Sequence, residues 1–363
     1  MISARLGVSK STVSRALKGH RSISEKTRAA VMAIARELGY QPNAIARGLV
    51  TRRSGIIGFV IAETENPFFE EQLEKLTKHV SRREMQVLLL QVATNGDLAD
   101  VIPSMLQYRL DGCIILASVP VSKEAVATCT RYGVPVVLLN RTMPETKASS
   151  VLCNSFAGSQ RIAEFLIAGG HSRIAFIAGR QNSIIAHDRE AGFRAGLAAA
   201  GREIYAREEG GFTFAGGYQA TKRLLSLTPR PDAIFASSDI MALAALDAIR
   251  EAGLRVPDDI SVIGFDGIRA SAWPAYRLTT IAQPADILFE RSIDLLTARI
   301  EDPNRPPEAI YVHGNMLIRG SARIPPGYEL LAEHLDRPSS AENATAQKPP
   351  DDPMKHDAGE RRA

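Results

Sequence analysis

Leu6-Gly-Val-Ser-Lys-Ser-Thr-Val-Ser-Arg-Ala-Leu17 is the stretch that decides how the amino-terminal part of this chain folds. Gly7 closes a short apolar segment containing Ile2 and Leu6, and the Ser9 hydroxyl is placed to cap a second helix. In that helix Val13, Ala16 and Leu17 recur at i, i+3 and i+4 and make one buried face. Lys10, Ser11, Ser14 and Arg15 project elsewhere. A cationic, hydroxyl-bearing face at a helix N-terminus suits the DNA major groove, because the first turn meets base edges while its free amides favour phosphate. A third helix follows, with Ser24 as N-cap, Glu25 in the first turn, an apolar stripe of Val31, Ile34, Ala35 and Leu38, and Gly39 just past the end. Three short helices sharing one small core make a helix-turn-helix head or, on the blander reading, a structural cap for a larger body.

Charge separates the two readings. Residues 1–53 hold eleven Lys and Arg against two acids, Glu25 and Glu37, so the segment carries +9 while the whole 363-residue chain carries only +4. Such asymmetry points to a polyanionic partner for the basic segment. The three cysteines, Cys113, Cys129 and Cys153, form no C-x-x-C pair and suit a reduced interior as small buried apolar residues. The N-terminus has no apolar signal core, and no run of about 18 apolar residues occurs, so a cytoplasmic protein with no membrane partner is expected.

The rest of the chain alternates short apolar runs with helix-period stretches. Ile56–Ile61, Val87–Leu90, Ile114–Leu116, Val134–Leu139, Ile174–Ile177, Ile234–Ala236 and Val262–Phe265 have the character of buried parallel strands. Phe69–Val80, Ser155–Ala168, Arg189–Ala200, Gly217–Leu227 and Met241–Ala252 have the helical period. This pattern predicts βαβ units, too many for one doubly wound sheet, hence two lobes with a cleft. The expected organisation is a head over 1–39, a hinge helix and linker over 40–53, a two-lobed α/β body over 54–324, and a disordered tail over 325–363 that is too poor in apolar residues to offset its ordering entropy. The lobes are expected at about 54–153 with 284–314, and about 154–283 with 315–324.

Leu6–Leu17, together with Glu37-Leu-Gly-Tyr-Gln-Pro-Asn-Ala-Ile-Ala-Arg-Gly-Leu49, resembles the head of the lactose repressor (LacI/GalR) family, and the resemblance extends through the body to about residue 324. It implies that Lys10 and Ser11 open the recognition helix on base edges, and that Arg15 reads a base, a guanidinium being suited to guanine O6 and N7. Ser9, Thr12, Ser14 and Asn43 would position the head on phosphates. Residues Ala44–Leu49 are too few to hold a helix alone in water. The resemblance implies that two copies pair on the minor groove, with Ala46 and Leu49 on DNA and Leu49 as a wedge that kinks the duplex by roughly 20–90°. Read without it, Leu49 is equally a linker residue touching the body. Family members carry several more residues before the position of Met1, so a start upstream of Met1 is expected.

The body shows no H-E-x-x-H, no G-x-S-x-G, no Walker loop and no G-x-G-x-x-G, so neither an enzyme nor a cofactor is expected. It resembles the periplasmic sugar-binding fold as this repressor family uses it. Arg189, just before a helix, and Asp266, at the carboxyl end of a strand, match effector contacts, and ligands of open α/β sheets bind outside those strand ends. Ser238 stands where many members carry a ligand-binding Asn and is followed by Asp239, a departure that argues against a simple sugar. Phe68 and Phe69 either stack on a ligand or pack in the core. Arg141 either reaches the cleft or makes a surface salt bridge. Gln283 either contacts ligand or acts as a crossover hinge, and Trp273, the sole tryptophan, is a candidate ligand wall. The expected partners are a double-stranded DNA operator, a small-molecule effector and a second copy of the chain. A transporter's solute-binding protein would share the body without residues 1–53, and a sugar-modifying enzyme would need a catalytic pair.

Overall fold

The computed structural model describes residues 1–17, 20–39, 53–62, 66–93, 96–181 and 183–328. The expectations for Asn43, Ala46, Leu49, the rest of the hinge and nearly all of the tail fall outside them. The chain separates into two compact units, Met1–Gly55 and Ile56–Ala363.

In the first unit, helix α1 (Ile2–Leu6) ends at Gly7, whose φ of 64° is the left-handed conformation that a glycine tolerates and that reverses the chain. Helix α2 (Lys10–Leu17) starts where the Ser9 hydroxyl accepts from the Thr12 amide at 3.0 Å. Helix α3 (Glu25–Glu37) starts where the Ser24 side chain accepts from the Thr27 amide. Ile2, Val13, Ala16, Val31 and Ala35 are the buried core, and Leu6, Leu17, Ile34 and Leu38 close around it. Ile2 is thus drawn into the core by an α1 of only five residues, which an exposed Arg5–Glu37 ion pair also ties to α3.

The second unit holds two six-stranded sheets wound the same way. One has the order β2 (Gln86–Val92), β1 (Ile56–Ala62), β3 (Gly112–Leu116), β4 (Val136–Leu139), β5 (Ser149–Cys153), β11 (Ala309–Val312), all parallel. The other has the order β7 (Ala206–Glu209), β6 (Ile174–Ala178), β8 (Ala233–Ala236), β9 (Ser261–Asp266), β10 (Thr279–Ala282), β12 (Asn315–Leu317), with only β12 antiparallel. Strands β3, β4, β6, β8 and β9 are buried along their whole length, the consequence of helices covering both faces. The chain passes between the sheets after β5, after β10 and after β11.

Helix α4 (Phe68–Ser81) and helix α11 (Ala285–Glu301) pack together on the first sheet, with Phe289 edge-on to Phe59 at 6.1 Å. On the second sheet, helix α7 (Ser155–Ala168) lies against helix α8 (Ile184–Ala199). The approach is so close that a Cβ on Gly192 would fall 2.1 Å from the Phe156 carbonyl oxygen, and one on Gly196 would fall 2.7 Å from the Ala163 Cβ. Phe176, Phe193 and Phe235 fill the space between α8 and its sheet.

Several elements differ from the sequence pattern for identifiable reasons. Helix α8 begins at Ile184, capped by Ser183, so Arg189 lies inside the helix and not ahead of it. Strand β7 reads Ala-Arg-Glu-Glu and has no apolar run, because it is an edge strand. Strand β4 starts after Pro135, which has no amide to contribute but accepts from the Cys113 amide. Truncating Phe289, which is fully buried between α4 and the sheet, is expected to cost about 3–5 kcal/mol. A Phe289→Ala variant should therefore lower the urea midpoint of the body, followed by circular dichroism.

Candidate functional site

Two surfaces gather the residues singled out in the sequence. The first is one side of α2. Ser9, Lys10, Ser11, Ser14 and Arg15 are exposed there and Thr12 is partly so, while Val13 and Ala16 face the core. The Ser9 hydroxyl lies 2.7 Å from that of Ser11 and 2.8 Å from that of Thr12. This cluster fixes the first turn of the helix and leaves Lys10 and Arg15 without a carboxylate partner among the described residues.

The second surface is a cavity of about 450 Å³ at the carboxyl ends of both sheets. It lies where each strand order reverses, next to β1 and β3 in one lobe and to β6 in the other. Its polar floor is a chain of hydrogen bonds running from lobe to lobe. Arg189, buried in α8, donates to Asp266 Oδ1 at 2.8 Å and to the Ser237 carbonyl, and its guanidinium carbon lies 3.9 Å from the centre of the Phe265 ring. Gln283 Nε2 donates to the same Asp266 oxygen at 2.8 Å, and Asn140 Nδ2 donates to Gln283 Oε1 at 2.8 Å. Asn140 Oδ1 in turn accepts from the Cys153 amide. Burial pushes the Asp266 carboxyl above its ordinary value, against the pull of Arg189 and Gln283.

The backbone is bent to present these groups. Asn140 and Asp266, each at a strand end, have φ of 60° and 126°. Non-glycine residues are seldom found there, and Asn and Asp accept such values most readily. Gly267 continues the turn at φ 74° and abuts Ala282. Asp239 holds it in place, its Oδ2 accepting from the Gly267 and Ile268 amides at 2.7 and 2.9 Å and its Oδ1 from the Thr280 hydroxyl at 2.6 Å.

Of the effector residues expected from the sequence, Phe68, Phe69, Arg141, Arg189, Asp266 and Gln283 line this cavity. Phe68 and Phe69 meet edge to face at 5.5 Å at the start of α4 and serve both the apolar core and the cavity wall. Arg141 makes no salt bridge among the described residues and donates to the Val119 carbonyl at 2.6 Å. Three others do not line the cavity. Asp239 is fully buried behind the Gly267 turn, and Ser238 beside it is buried at the start of α10 (Asp239–Glu251), so neither lines the cavity. Trp273 is 58% exposed, stacks on Tyr276 and is absent from the cavity wall. Sequence reasoning missed Arg180, Ser183 and Phe212. Phe212 sits on a glycine loop at φ 62°, with its ring filling the space a side chain at Gly179 would need. Ser183 carried a readable signal as an N-cap, its hydroxyl accepting from the Ala186 amide.

A helix-turn-helix unit followed by two like-wound lobes around a polar cleft defines a ligand-responsive DNA-binding regulator. Residues 2–43 match the model of bacterial regulatory proteins of the lacI family, and residues 163–322 match the periplasmic binding protein-like domain. The ribose operon repressor of Escherichia coli (strain K12) is 35% identical over 326 residues, covering 88% of this chain and 98% of that protein. Among solved structures, the lac repressor dimer bound to operator and the anti-inducer ONPF is 28% identical with a TM-score of 0.76, covering 88% of this chain and 97% of that one. A complex of the transcriptional regulator CelR with cellobiose is 31% identical with a TM-score of 0.68, covering 89% and 98%. The chain belongs to the LacI family of transcription regulators, and by that membership it regulates and does not catalyse. No helix among the described residues is long and apolar enough to cross a membrane.

The burial of Asp239 has a measurable consequence. Burial, then the neighbouring Asp266 charge, pushes its carboxyl from the ordinary 3.8 up to about 7. A proton held more tightly in the folded than in the unfolded chain stabilises the fold fully below the lower value, and that contribution is lost as pH rises through the upper one. Asn at this position keeps an oxygen for the two amides, offers N–H to the Thr280 hydroxyl and cannot ionise. Asp239→Asn should therefore melt close to wild type below about pH 4, gain on it steadily from about pH 4 to about pH 7 and keep that gain above, in thermal melts.

Proposed function

We propose that this chain is a homodimeric, cytoplasmic repressor that binds a pseudo-palindromic operator and releases or grips it in response to a small polyhydroxylated metabolite held between the lobes. The observation that carries this reading is the hydrogen-bonded chain Arg189–Asp266–Gln283–Asn140 along the cavity floor. It joins side chains of both lobes, and it alternates donors and acceptors as a ring of hydroxyls requires. The ribose operon repressor and the cellobiose complex among the similar proteins favour a sugar-like ligand. A ligand with different affinities for the open and closed lobes shifts that equilibrium by its affinity difference.

Two-fold protein symmetry mirrors operator symmetry. On this reading the exposed face of α2 enters the major groove, with Lys10, Ser11 and Arg15 on bases and Ser9, Thr12 and Ser14 on phosphates. Asn43, Ala46 and Leu49 belong to the same DNA-contacting surface on this reading, and lobe closure is coupled to operator affinity. On the same reading the head spans 1–39, the body 54–324 and the tail 325–363.

The test is fluorescence anisotropy of the chain on DNA upstream of its own gene against scrambled DNA, with a salt series and a panel of sugars. Preference for the upstream DNA that a sugar then alters is the expected result. Binding that falls with salt equally on both DNAs would leave only backbone attraction. Arg15→Ala should lose about 1–3 kcal/mol of discrimination at one base position, while an equal loss on all sequences would contradict base reading. Arg189→Ala should remove the ligand-induced change in operator affinity, and a variant that still responds like wild type would place the effector elsewhere.

A further inference from the structure

The cavity carries more cation than its floor consumes. Among the described residues, three arginines line it, Arg141, Arg180 and Arg189, against two carboxylates, Asp97 and Asp266. Asp266 is committed to Arg189 and Gln283. The Asp97 carboxylate accepts from the Ala99 amide at 2.9 Å, and its charge acts on Arg141 from a distance. Neither Arg141 nor Arg180 makes an ion pair among the described residues. Arg141 is half-buried; one of its terminal nitrogens donates to the Val119 carbonyl, and its Nε is buried with no hydrogen-bond partner. Burial works against its charge, with Asp97 the group that partly offsets this. Arg180 stands exposed at the rim, its Nε donating to the Gly211 carbonyl at 3.3 Å. A buried cation with an orphaned donor is costly to maintain unless something else supplies the counter-charge.

The two arginines come from different lobes. Arg141 follows β4 and Arg180 follows β6. The N-terminus of α8, with Ser183, Ile184 and Ile185, reaches the same cavity and adds the partial positive charge of its free amides. Both lobes thus bring a cationic side chain to the one cavity.

We propose that the effector of this chain is an anionic polyol, a sugar bearing a carboxylate or a phosphate monoester, whose hydroxyls lie on the Arg189–Asp266–Gln283 floor and whose anion bridges Arg141 and Arg180 from the two lobes. The inference rests on the cleft being the effector site. It adds that the anion, and not the sugar ring alone, draws the lobes together. The Phe68, Phe69 and Phe212 side chains supply the apolar wall for the ring's C–H face.

Isothermal titration of the full chain tests this with matched sets of probes: the common D-pentoses and D-hexoses, each beside its aldonate and its terminal phosphate monoester. At least one charged member should bind about tenfold or more tightly than its neutral parent, the scale of one charged hydrogen bond. Preference for the aldonate or for the ester identifies the source of the anion. Arg141→Gln and Arg180→Gln should each shrink the charged-to-neutral ratio, Arg141→Lys should restore part of it, and added salt should weaken only the charged member. The Arg180 substitution is at the exposed rim, so the test stands even where Arg141→Gln unfolds the lobe. A neutral sugar that binds as tightly as its acid and ester, a charge preference that survives both substitutions, or no binding by any member overturns the proposal. A neutral ligand lost in Arg189→Ala but kept in Arg141→Gln would discard the anion and retain the cleft as the effector site, whereas a ligand indifferent to both substitutions would remove both readings.

Discussion

The buried pair Arg189–Asp266 is the interaction on which the ligand body depends. Taking a guanidinium and a carboxylate out of water costs several kcal/mol per ion unless further polar contacts compensate. Here the Ser237 carbonyl, the Gln283 amide and the face of Phe265 do so. Such a pair contributes little net stability compared with apolar side chains of the same volume. What it does supply is a fixed donor and a fixed acceptor at the floor of a cavity, oriented before any ligand arrives. Much of the surrounding architecture serves that orientation. Gly192 and Gly196 let α8 sit on α7 so that Arg189 reaches the strand ends. Asp239 ties down the Gly267 turn so that Asp266 keeps an unfavourable φ.

The two sheets share one strand order, and the consequence is functional. Each parallel sheet presents ligand-facing loops at its carboxyl edge. Two such edges brought together make a site to which both sheets contribute, above an apolar core that runs from one sheet to the other. The crossover residue Gln283 and the strand-end residue Asn140 join those halves through one hydrogen bond at 2.8 Å. Nearer the surface, the Arg269 amide donates to Glu71 at 2.9 Å and its guanidinium pairs with Glu74, again from one lobe to the other. Exposed pairs of this kind contribute little individually. Polar bridges of this kind at the cleft can be remade at little cost, so a ligand with different affinities for two lobe arrangements can bias the angle between them.

The head works by a different economy. Among the described residues its core is five buried side chains, and the polar first turn of α2 is arranged around the Ser9 hydroxyl. Its positive charge is a property of local sequence, concentrated in residues 1–53, and needs no tertiary partner to exist.

The sequence by itself determined the elements whose cause is local. The caps at Ser9 and Ser24, the turn at Gly7, the apolar stripe of α3 and the buried parallel strands were all legible, because capping, φ preference and hydrophobic period act over a few residues. Arg189 and Asp266 were legible as a pair only through their resemblance to a known pattern, since 77 residues separate them. What only the tertiary structure decided were questions of which side of a turn a side chain lies on. Asp239 and Asp266 are both acidic residues at strand-to-helix or strand-to-turn junctions, yet one faces the backbone and the other faces the cavity. Trp273 stands on the surface because its loop turns outward, and Arg180 reaches the cavity because β6 and β4 end at the same cleft. Period and propensity act along the chain, whereas a cleft is made where distant strand ends meet, and its lining is set by the packing of whole lobes.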